Sequence, residues 1–390
     1  MALDRKLVVC SFCPNMCRFT CPASRFLARQ TASPAGKAWS TYLLEQGQVD
    51  WNPANVEPLY LCAGCRRCLE DCASEVAISD FLEIERQKAW ALGLCPQEGM
   101  AFGQRIKRQG NPYRQASEIA ATQERMRELV SREAKILFYA GCATWALHPE
   151  FAVSALRLAN AAEVAVALWE GEVCCGHPLY QLGDTQGFEQ QAIKVASFIN
   201  SGSYEAVVTG CPSCAYNLKS LYPRALGISI NAQILNLVEF LAQLVRGGRL
   251  DPGSITATSP QKTDTPVTYH DPCYLGRYQG IFAEPRQLLA AWGYEVREPA
   301  HRQGLPNGLG SDDGTFSYRR APCCGGNTTT DVLLPHLANQ MGQDALSTYL
   351  ATGAELLVTS CPHCYDMLAT ANEGGGQGIK VVDLVQLLGP

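Results

Sequence analysis

The sequence lacks the features of several protein classes. Charged residues make up only 18% of its 390 residues, the net charge is −5, and basic side chains form no block. Because nucleic-acid binding depends on clustered Lys and Arg, we expect no nucleic-acid partner. The longest apolar helix candidate, Ile234–Val245, is interrupted by polar residues and is far shorter than the roughly 20 residues of a membrane span. We therefore expect no membrane span, with membrane association only through a partner.

Two further absences concern location and cofactors. The N-terminal stretch MALDRKLVVCSFC has no apolar core of a secretory signal, so we expect a cytoplasmic protein. Disulfides are usually reduced there, which disfavours a secreted disulfide scaffold and makes clustered Cys-x-x-Cys a sign of metal or redox chemistry. The sequence has no strand-associated G-x-G-x-x-G and no Walker loop. Binding of flavin, nicotinamide or nucleotide must therefore come from another subunit.

Cysteine, by contrast, is abundant, with 19 in the chain. Ten of them form a repeat of a single cysteine, an adjacent pair before glycine, and a Cys-Pro-x-Cys, and such a repeat outranks other features in predicting a fold. The first copy (FYAGC, VCCGHP, GCPSC) contains Cys142, Cys174, Cys175, Cys211 and Cys214. The second copy (YHDPC, PCCGG, SCPHC) contains Cys273, Cys323, Cys324, Cys361 and Cys364.

Eight cysteines nearer the N-terminus form two groups. The second group has the bacterial ferredoxin spacing C-x2-C-x2-C-x3-C, whose fourth cysteine binds the other of two clusters. The first group has one extra residue between its second and third cysteines and ends in Cys-Pro. We predict two cubane [4Fe–4S] clusters, one held by Cys10, Cys13, Cys17 and Cys72 and the other by Cys62, Cys65, Cys68 and Cys21. Tetrahedral zinc is the alternative, which two groups of four disfavour.

The order of helix and strand patterns predicts an α+β multidomain protein, in which a helical dicluster ferredoxin module precedes two tandem α/β domains. The Gly- and Pro-containing stretch 299–318 is interpreted as a surface insertion. The predicted segments are a ferredoxin domain over 1–92, a linker and connecting helix over 93–132, a first α/β domain over 133–249, a linker over 250–265 and a second α/β domain over 266–390.

In both α/β domains the cysteines follow predicted strands. Ligands usually bind at the carboxyl edge of such a sheet, because loops from several strands converge there. Five thiolates exceed what zinc or a simple cubane needs, and two sets in the same order argue against coincidental buried cysteines. Residues 232–246 are predicted to be helical. The predicted strands are Ile136–Tyr139, Glu163–Trp169, Ala206–Thr209, Val267–Tyr269, Tyr294–Arg297 and Leu356–Thr359.

The doubled cysteine pattern resembles the cysteine-rich CCG domain of heterodisulfide reductase catalytic subunits and related iron–sulfur oxidoreductases. HDPCYLGRY at His270–Tyr278 and SPAGK in the N-terminal module are similar to that group. The domain order also resembles iron–sulfur subunits of glycolate, lactate and glycerol-3-phosphate oxidising complexes. The resemblance implies one noncubane [4Fe–4S] cluster in each CCG domain, held by the five cysteines of each copy as catalytic residues. It also implies cubane clusters that carry electrons from a partner.

The resemblance leaves two functions open. The first is reduction of a small-molecule disulfide, or the reverse thiol oxidation, which the complete set of ten repeat cysteines favours. The second is electron transfer for a flavin-containing dehydrogenase of a 2-hydroxy acid or glycerol 3-phosphate, which the breadth of the superfamily favours. Both need an electron-donating or electron-accepting subunit. The run CCGGNTTT departs from the family's glycine-rich sequence and indicates a remodelled interface near the second CCG set.

A few residues outside these sets also have candidate roles. His177, His270 and His363 lie within three residues of proposed ligands, as candidates to deliver protons or to hydrogen-bond cluster sulfurs, with structural histidines as the alternative. Cys95 is interpreted as a buried incidental thiol. Lys219 and Arg277 are candidates to attract an anionic substrate, with surface charges as the alternative.

Overall fold

The computed structural model describes residues 4–114, 116–256, 265–299, 318–375 and 378–389. A helical N-terminal module precedes two small parallel sheets flanked by helices, which confirms the predicted fold class. Residues 300–317 of the predicted insertion and 257–264 of the predicted linker lie outside the described residues. No helix among the described residues has the length and apolar character needed to cross a membrane.

The N-terminal module consists of short helices joined by cysteine-containing loops. Ser33 caps a helix whose first residue is Pro34, and the Ser33 hydroxyl accepts a hydrogen bond from the Gly36 amide at 3.0 Å. Leu59 and Leu82 are among the fully buried side chains that hold the helices together. The helices are α1 (Arg5–Ser11), α2 (Pro22–Leu27), α3 (Pro34–Glu45), α4 (Pro53–Tyr60) and α5 (Ile78–Ala91).

The segment after this module differs from the irregular linker that we predicted. It contains α6 (Gln97–Gln109), whose buried face is formed by Gly99, Phe102, Gly103 and Ile106. These positions have the i, i+3, i+4, i+7 spacing of a helix, but two of them are glycines, which hid the periodicity. A Cβ at Gly99 would lie 2.8 Å from Leu182 Cδ2. The glycines therefore allow close helix packing rather than a turn.

The first α/β domain contains a four-stranded parallel sheet with the order β2-β1-β3-β4. Its first three strands confirm the prediction, although β2 is shorter than predicted. Its strands are β1 (Ile136–Phe138), β2 (Val166–Leu168), β3 (Ala206–Thr209) and β4 (Gln233–Asn236). Its helices, with the preceding connecting helix, are α7 (Ala116–Glu124), α8 (Cys142–Leu147), α9 (Pro149–Ala161), α10 (His177–Leu182), α11 (Thr185–Ser201), α12 (Pro212–Tyr216), α13 (Tyr222–Leu226), α14 (Leu237–Arg246) and α15 (Pro252–Thr256).

The prediction of a helix over 232–246 was wrong in its first part. Residues Gln233–Asn236 pair with β3, and the helix begins only at Leu237. Asn236 and Glu239 form a reciprocal capping box. The Asn236 side chain accepts a hydrogen bond from a backbone amide of the first helical turn, and the Glu239 side chain accepts one from the Asn236 amide. The cap therefore marks the strand-to-helix boundary.

The second α/β domain contains a three-stranded parallel sheet with the order β5-β6-β7. Residues Tyr294–Arg297, predicted as a strand, form only an isolated bridge between Val267 and Val296, and β7 was not predicted. The strands are β5 (Val267–Tyr269), β6 (Leu356–Thr359) and β7 (Lys380–Asp383). The helices are α16 (Gly276–Gln279), α17 (Ala283–Ala291), α18 (Thr328–Asp331), α19 (Pro335–Leu350), α20 (Pro362–Gly375) and α21 (Leu384–Leu388).

The two α/β domains share one hydrophobic core. Phe151 and Leu241 of the first domain belong to the same buried cluster as Leu289 and Leu388 of the second. Such a core excludes water from the boundary between the two sheets. The loops that follow the strands of one sheet are therefore held in place relative to the loops that follow the strands of the other.

A histidine–carboxylate pair also joins the two domains. His148 Nε2 lies 2.5 Å from Asp366 Oδ1 on α20, and His148 Nδ1 lies 3.3 Å from Glu150 Oε1. Burial lowers the pKa of His148, but the hydrogen bonds to Asp366 and Glu150 outweigh it, so the pKa is raised overall. The buried Asp383 carboxyl faces the same imidazole.

We expect an Asp366→Asn variant to lose more stability at pH 5.5 than at pH 8.5. A histidine pKa that is raised on folding contributes stability below the unfolded pKa, and this contribution disappears as the pH rises through the folded pKa. The expected loss at low pH is ~1 kcal/mol, or about 2 °C in the thermal midpoint. Circular dichroism melts at both pH values, with His148→Asn for comparison, check this. Equal losses at both pH values would contradict it.

Candidate metal centres

Four N-terminal thiols converge as the ferredoxin spacing predicts. Burial and the neighbouring Cys17, Cys72 and Cys13 raise the pKa of the Cys10 thiol to about 12. Cys17 has the same raised pKa, from burial and then from Cys72, Cys21 and Cys13. Thiols that disfavour ionisation of one another in this way lie close together. We refer to Cys10, Cys13, Cys17 and Cys72 as the first ferredoxin set.

The second ferredoxin set comprises Cys21, Cys62, Cys65 and Cys68. All four line a cavity of about 450 Å³ between the loops that follow α1 and α4. Lys37 of the SPAGK motif is fully buried beside them, and its Nζ lies 3.8 Å from Cys21 Sγ. When these four cysteines are ionised, the buried ammonium group of Lys37 balances part of their negative charge.

These two sets fit the cubane clusters that the spacing predicts. Four clustered thiolates repel one another and are ionised together only when a cation balances them, which is the condition that cluster irons meet. The second set already surrounds a cavity, and the buried ammonium of Lys37 supports anionic ligands there. The assignment of individual cysteines to individual clusters stays a prediction.

The five cysteines of the first CCG set, from the first repeat copy, meet at the carboxyl edge of the four-stranded sheet. Cys142 follows β1, Cys174 and Cys175 follow β2, and Cys211 and Cys214 follow β3. Cys214 Sγ lies 3.4 Å from Cys175 Sγ, and Cys174 is hydrogen-bonded to Cys142 and to Cys175. The structure therefore brings all five predicted residues together.

The five cysteines of the second CCG set also meet. Cys324 Sγ lies 3.2 Å from Cys364 Sγ, and Cys273 and Cys361 lie close enough to Cys324 to interact with it electrostatically. The neighbouring thiols of Cys323 and then Cys364 lower the pKa of the Cys324 thiol. A buried site that favours the ionised form of a cysteine is suited to binding a metal, because the thiolate is the form that acts as a ligand.

The second ferredoxin set and the second CCG set touch each other. The Cys323 thiol, together with burial, raises the pKa of the Cys65 thiol, so the two thiols lie close together. The loop that contains Cys65 is also held by the second CCG domain: Arg277 Nε donates to Cys65 O at 2.5 Å, and the Tyr278 hydroxyl donates to Gly64 O at 2.6 Å. Cys65 and Cys323 are more than 250 residues apart in the sequence, so sequence patterns did not predict that they lie close together.

The Asn-Thr-Thr run after the second CCG forms part of this contact. The Thr329 hydroxyl donates to Cys62 O at 2.8 Å, and Asn327 caps α18. The departure from the family sequence therefore serves the interface between the CCG domain and the ferredoxin module. Arg277, for which we considered a substrate-binding or a surface role, is instead buried. It stabilises this interface through hydrogen bonds to backbone carbonyls. Lys219, the other candidate, is exposed.

A cavity opens onto the first CCG set. All five of its cysteines contribute to the wall. Phe102 and Tyr113, from the segment that we predicted to be a linker, form an apolar side, and the second CCG domain contributes Asp331 and His363. The cavity therefore lies between the two CCG domains and combines thiols with ionisable groups.

The three candidate histidines occupy different environments. Burial, and then His363, lower the pKa of His177 to about 3, and burial lowers that of His270 to about 4. Both imidazoles are therefore neutral near pH 7. Of the two roles considered for these histidines, this favours hydrogen bonding over delivery of a proton from an imidazolium. His270 Nδ1 lies 3.0 Å from the Tyr349 hydroxyl, and the ring shares a cluster of ligand atoms with Cys324 and Cys364. His363 is half-buried in the cavity wall.

Sequence reasoning missed Glu172, which positions the loop of Cys142. Its two carboxylate oxygens accept hydrogen bonds from the amides of Gly141 at 2.7 Å and Ala140 at 3.0 Å. Burial raises the pKa of this carboxyl to about 8. A single Glu before the CCG pair gives no sequence signal of this role. Cys95, by contrast, is the buried thiol that we predicted and is hydrogen-bonded to Tyr60.

Comparison with known proteins identifies the repeat. The family model for the cysteine-rich CCG domain matches residues 136–219 and 314–369. The chain therefore contains two regions that match the CCG domain. Cys273 lies before the second match, so its place in the second CCG set rests on the geometry above.

Three relatives of the chain are oxidoreductases or subunits of oxidoreductases. One component of the CoM/CoB fumarate reductase of Methanothermobacter marburgensis is 25% identical over 95% of the chain and 70% of its own length. One component of the dihydromethanophenazine:CoB–CoM heterodisulfide reductase of Methanosarcina barkeri is 25% identical over 88% and 81%. The EtfAB:quinone oxidoreductase of Syntrophomonas wolfei is 28% identical over 85% of the chain but only 46% of its own length. These homologues support iron–sulfur clusters and a redox role.

Proposed function

We propose that this protein is the iron–sulfur subunit of a redox complex and reduces a small disulfide at the first CCG set, or oxidises thiols there in reverse. The observation that carries this proposal is the cavity between the two CCG domains. It brings all five thiols of one set together with Asp331 and His363 of the second CCG domain. The relatives named for heterodisulfide reductase and for CoM/CoB fumarate reductase support the substrate class.

The residues that would hold the cofactors are the four cysteine sets. Two cubane clusters would be held by the ferredoxin sets and one noncubane cluster by each CCG set, and bound clusters would supply one-electron steps. Lys37 balances the charge of the second ferredoxin set, Glu172 orients the Cys142 loop, and Arg277 fixes the loop of Cys65.

The contacts between sets suggest the order of electron transfer. Cys17 lies near Cys21, so the two ferredoxin sets are neighbours. Cys65 contacts Cys323, so the second ferredoxin set leads to the second CCG set. The cavity with the first CCG set is bounded by Gly326 and His363, next to cysteines of the second CCG set. Electrons from a partner would therefore reach the disulfide last, at the first CCG set.

Reduction of a disulfide consumes two electrons and two protons and yields two thiols. Asp331 is the cavity residue that we assign to hold one of these protons. Burial raises the pKa of its carboxyl, against the opposing effect of the nearby His363. Phe102 and Tyr113 contribute aromatic rings to the same cavity wall.

We expect an Asp331→Asn variant to release thiols from a small disulfide about 100-fold more slowly, because general acid catalysis contributes 10²–10⁴-fold. Anaerobic protein reduced with dithionite and mixed with a disulfide library, with thiol release as the readout, makes the measurement. Iron content should remain that of the wild type. Glu373→Gln, which neutralises an exposed carboxylate on α20, is the control.

Two outcomes would contradict the proposal. An unchanged rate for Asp331→Asn would remove Asp331 from the chemistry. Wild-type protein with full iron content that passes electrons onward but releases no thiol from any disulfide would favour the alternative, an electron-transfer subunit for a flavin-containing dehydrogenase.

A further inference from the structure

The N-terminal module carries an unusual concentration of exposed apolar side chains. Nine large apolar residues are exposed in the described part of the chain, and five of them lie within the first 39 residues. The three most exposed of the nine are at 60–64%. We call this group the N-terminal apolar patch: Val9, Phe12, Met16, Phe19 and Trp39.

Two residues of the patch, Phe12 and Trp39, belong to an aromatic cluster. The Phe12 ring stands edge-on to Trp39 at 5.1 Å and to Tyr42 at 5.4 Å, and Trp39 and Tyr42 stack on each other. Preformed aromatic groups of this kind lose little conformational entropy on binding and are enriched at protein interfaces.

Three residues of the patch lie next to or near cysteines of the first ferredoxin set in the sequence. Phe12 and Met16 flank Cys13 in the sequence, and Phe19 lies two residues after Cys17. Among the 18 cysteines of the four sets, Cys13 is the exposed one, and the others are buried or half-buried. The first ferredoxin set is therefore the one that reaches the surface of the described chain.

The charges beside the patch have the opposite sign to that of the whole chain. Residues 4–21 contain the exposed basic side chains of Arg5, Lys6 and Arg18 and one acidic residue, Asp4, whereas the chain as a whole has a net charge of −5. Asp4 is used as the cap of α1. A surface that is apolar with a basic border fits a partner that is apolar with an acidic border.

We propose that the N-terminal apolar patch docks the redox protein that exchanges electrons with the first ferredoxin set, and that this protein has an acidic border around its contact surface. The inference rests on the proposed role as an electron-transfer subunit and identifies where the partner binds. A second copy of the chain would place like charges opposite each other, and a lipid surface would not explain the exposed Cys13 within the patch.

The test compares reduction of the full-length, cluster-loaded protein by two donors. One donor is flavodoxin hydroquinone, a strongly acidic flavoprotein that must dock; the other is dithionite, which is too small to need a docking surface. Bleaching of cluster absorbance in a stopped-flow instrument gives the rate. The variants are Met16→Ser/Phe19→Ser and Arg18→Glu. The matched control is Ile193→Ser, a comparably exposed apolar residue on α11.

We expect both patch variants to be reduced by flavodoxin at least 10-fold more slowly than the wild type, with unchanged dithionite rates and iron content. Raising the salt concentration should slow the wild type more than Arg18→Glu, because steering by opposite charges is screened. Ile193→Ser should behave as the wild type. This readout needs no disulfide turnover, so it can succeed or fail independently of the reaction proposed for the CCG cavity.

Three results would overturn the proposal. The first is a flavodoxin rate that is absent in the wild type or unaffected by the patch variants. The second is a wild-type dimer in sedimentation velocity that the patch variants dissociate, which would make the patch a contact between copies. The third is binding of the wild type, but not of the variants, to vesicles of phosphatidylglycerol and phosphatidylcholine, which would make it a membrane contact.

Discussion

A Cys324→Ser variant is expected to lose disulfide reduction by at least 100-fold while its ferredoxin sets are still reduced. Cys324 contacts Cys364 at 3.2 Å and hydrogen-bonds with Cys323, which in turn contacts Cys65. The substitution removes a ligand from the set that stands between the ferredoxin module and the cavity. Iron content should fall by about four atoms per chain, the content of one cluster. Freeze-quench EPR after rapid reduction separates the ferredoxin signals from those of the CCG sets.

Cys95→Ser is the matched control for this variant. Cys95 is equally buried but lies outside the four sets, so its replacement should change neither the iron content nor the rate of thiol release. Full thiol release by Cys324→Ser would contradict the order of electron transfer. It would mean that electrons reach the first CCG set without passing the second.

Replacing Lys37 with methionine is expected to lower the reduction potential of the second ferredoxin cluster. The ammonium is buried, and its Nζ lies 3.8 Å from Cys21 Sγ. Reduction adds negative charge to a site where this cation is one of the buried compensating charges, so its removal disfavours the reduced state. At ~59 mV for each tenfold change in a one-electron equilibrium, a shift on the order of 100 mV corresponds to about 2–3 kcal/mol. An EPR-monitored redox titration makes the measurement.

Two further variants serve as controls for Lys37→Met. Lys37→Arg keeps the charge and should restore most of the potential. Lys88→Met removes a more exposed lysine of the same module, which is paired with Glu45 and Glu85, and should leave the potential near the wild-type value. A Lys37→Met potential that is indistinguishable from that of the wild type would contradict the role assigned to this cation.

Much of the architecture follows from local patterns in the sequence. The strands before Cys142, Cys211 and Cys361 are short apolar runs that end in turn residues, and parallel strands bring their carboxyl ends to one edge. Once those strands are recognised, convergence of the cysteines follows. Helix α3 was equally clear from its Ser-Pro start.

The features that could not be predicted depend on long-range packing. Glycines at positions 99 and 103 look like breaks in a helix until Leu182 and Leu179 are seen against them. Arg277 has the sequence context of a surface or substrate-binding charge, but it is buried because carbonyls of distant loops accept its hydrogen bonds.

The contact between Cys65 and Cys323 is of the same kind. Spacing motifs define which cysteines belong to a set, but no periodicity reports which sets are neighbours. That arrangement comes from the docking of the ferredoxin module on the second CCG domain through Arg277, Tyr278 and Thr329. The order of electron transfer is therefore a property of the tertiary fold.

Metal analysis combined with EPR on anaerobically purified protein tests the central claim most directly. Four filled sets predict about 16 iron atoms per chain, little zinc, and an EPR signal that changes when a disulfide or thiol is added. About eight iron atoms with no response to disulfide would mean that the CCG sets hold no clusters and that the proposed chemistry at the cavity is wrong. Stoichiometric zinc with little iron would contradict the iron–sulfur account altogether.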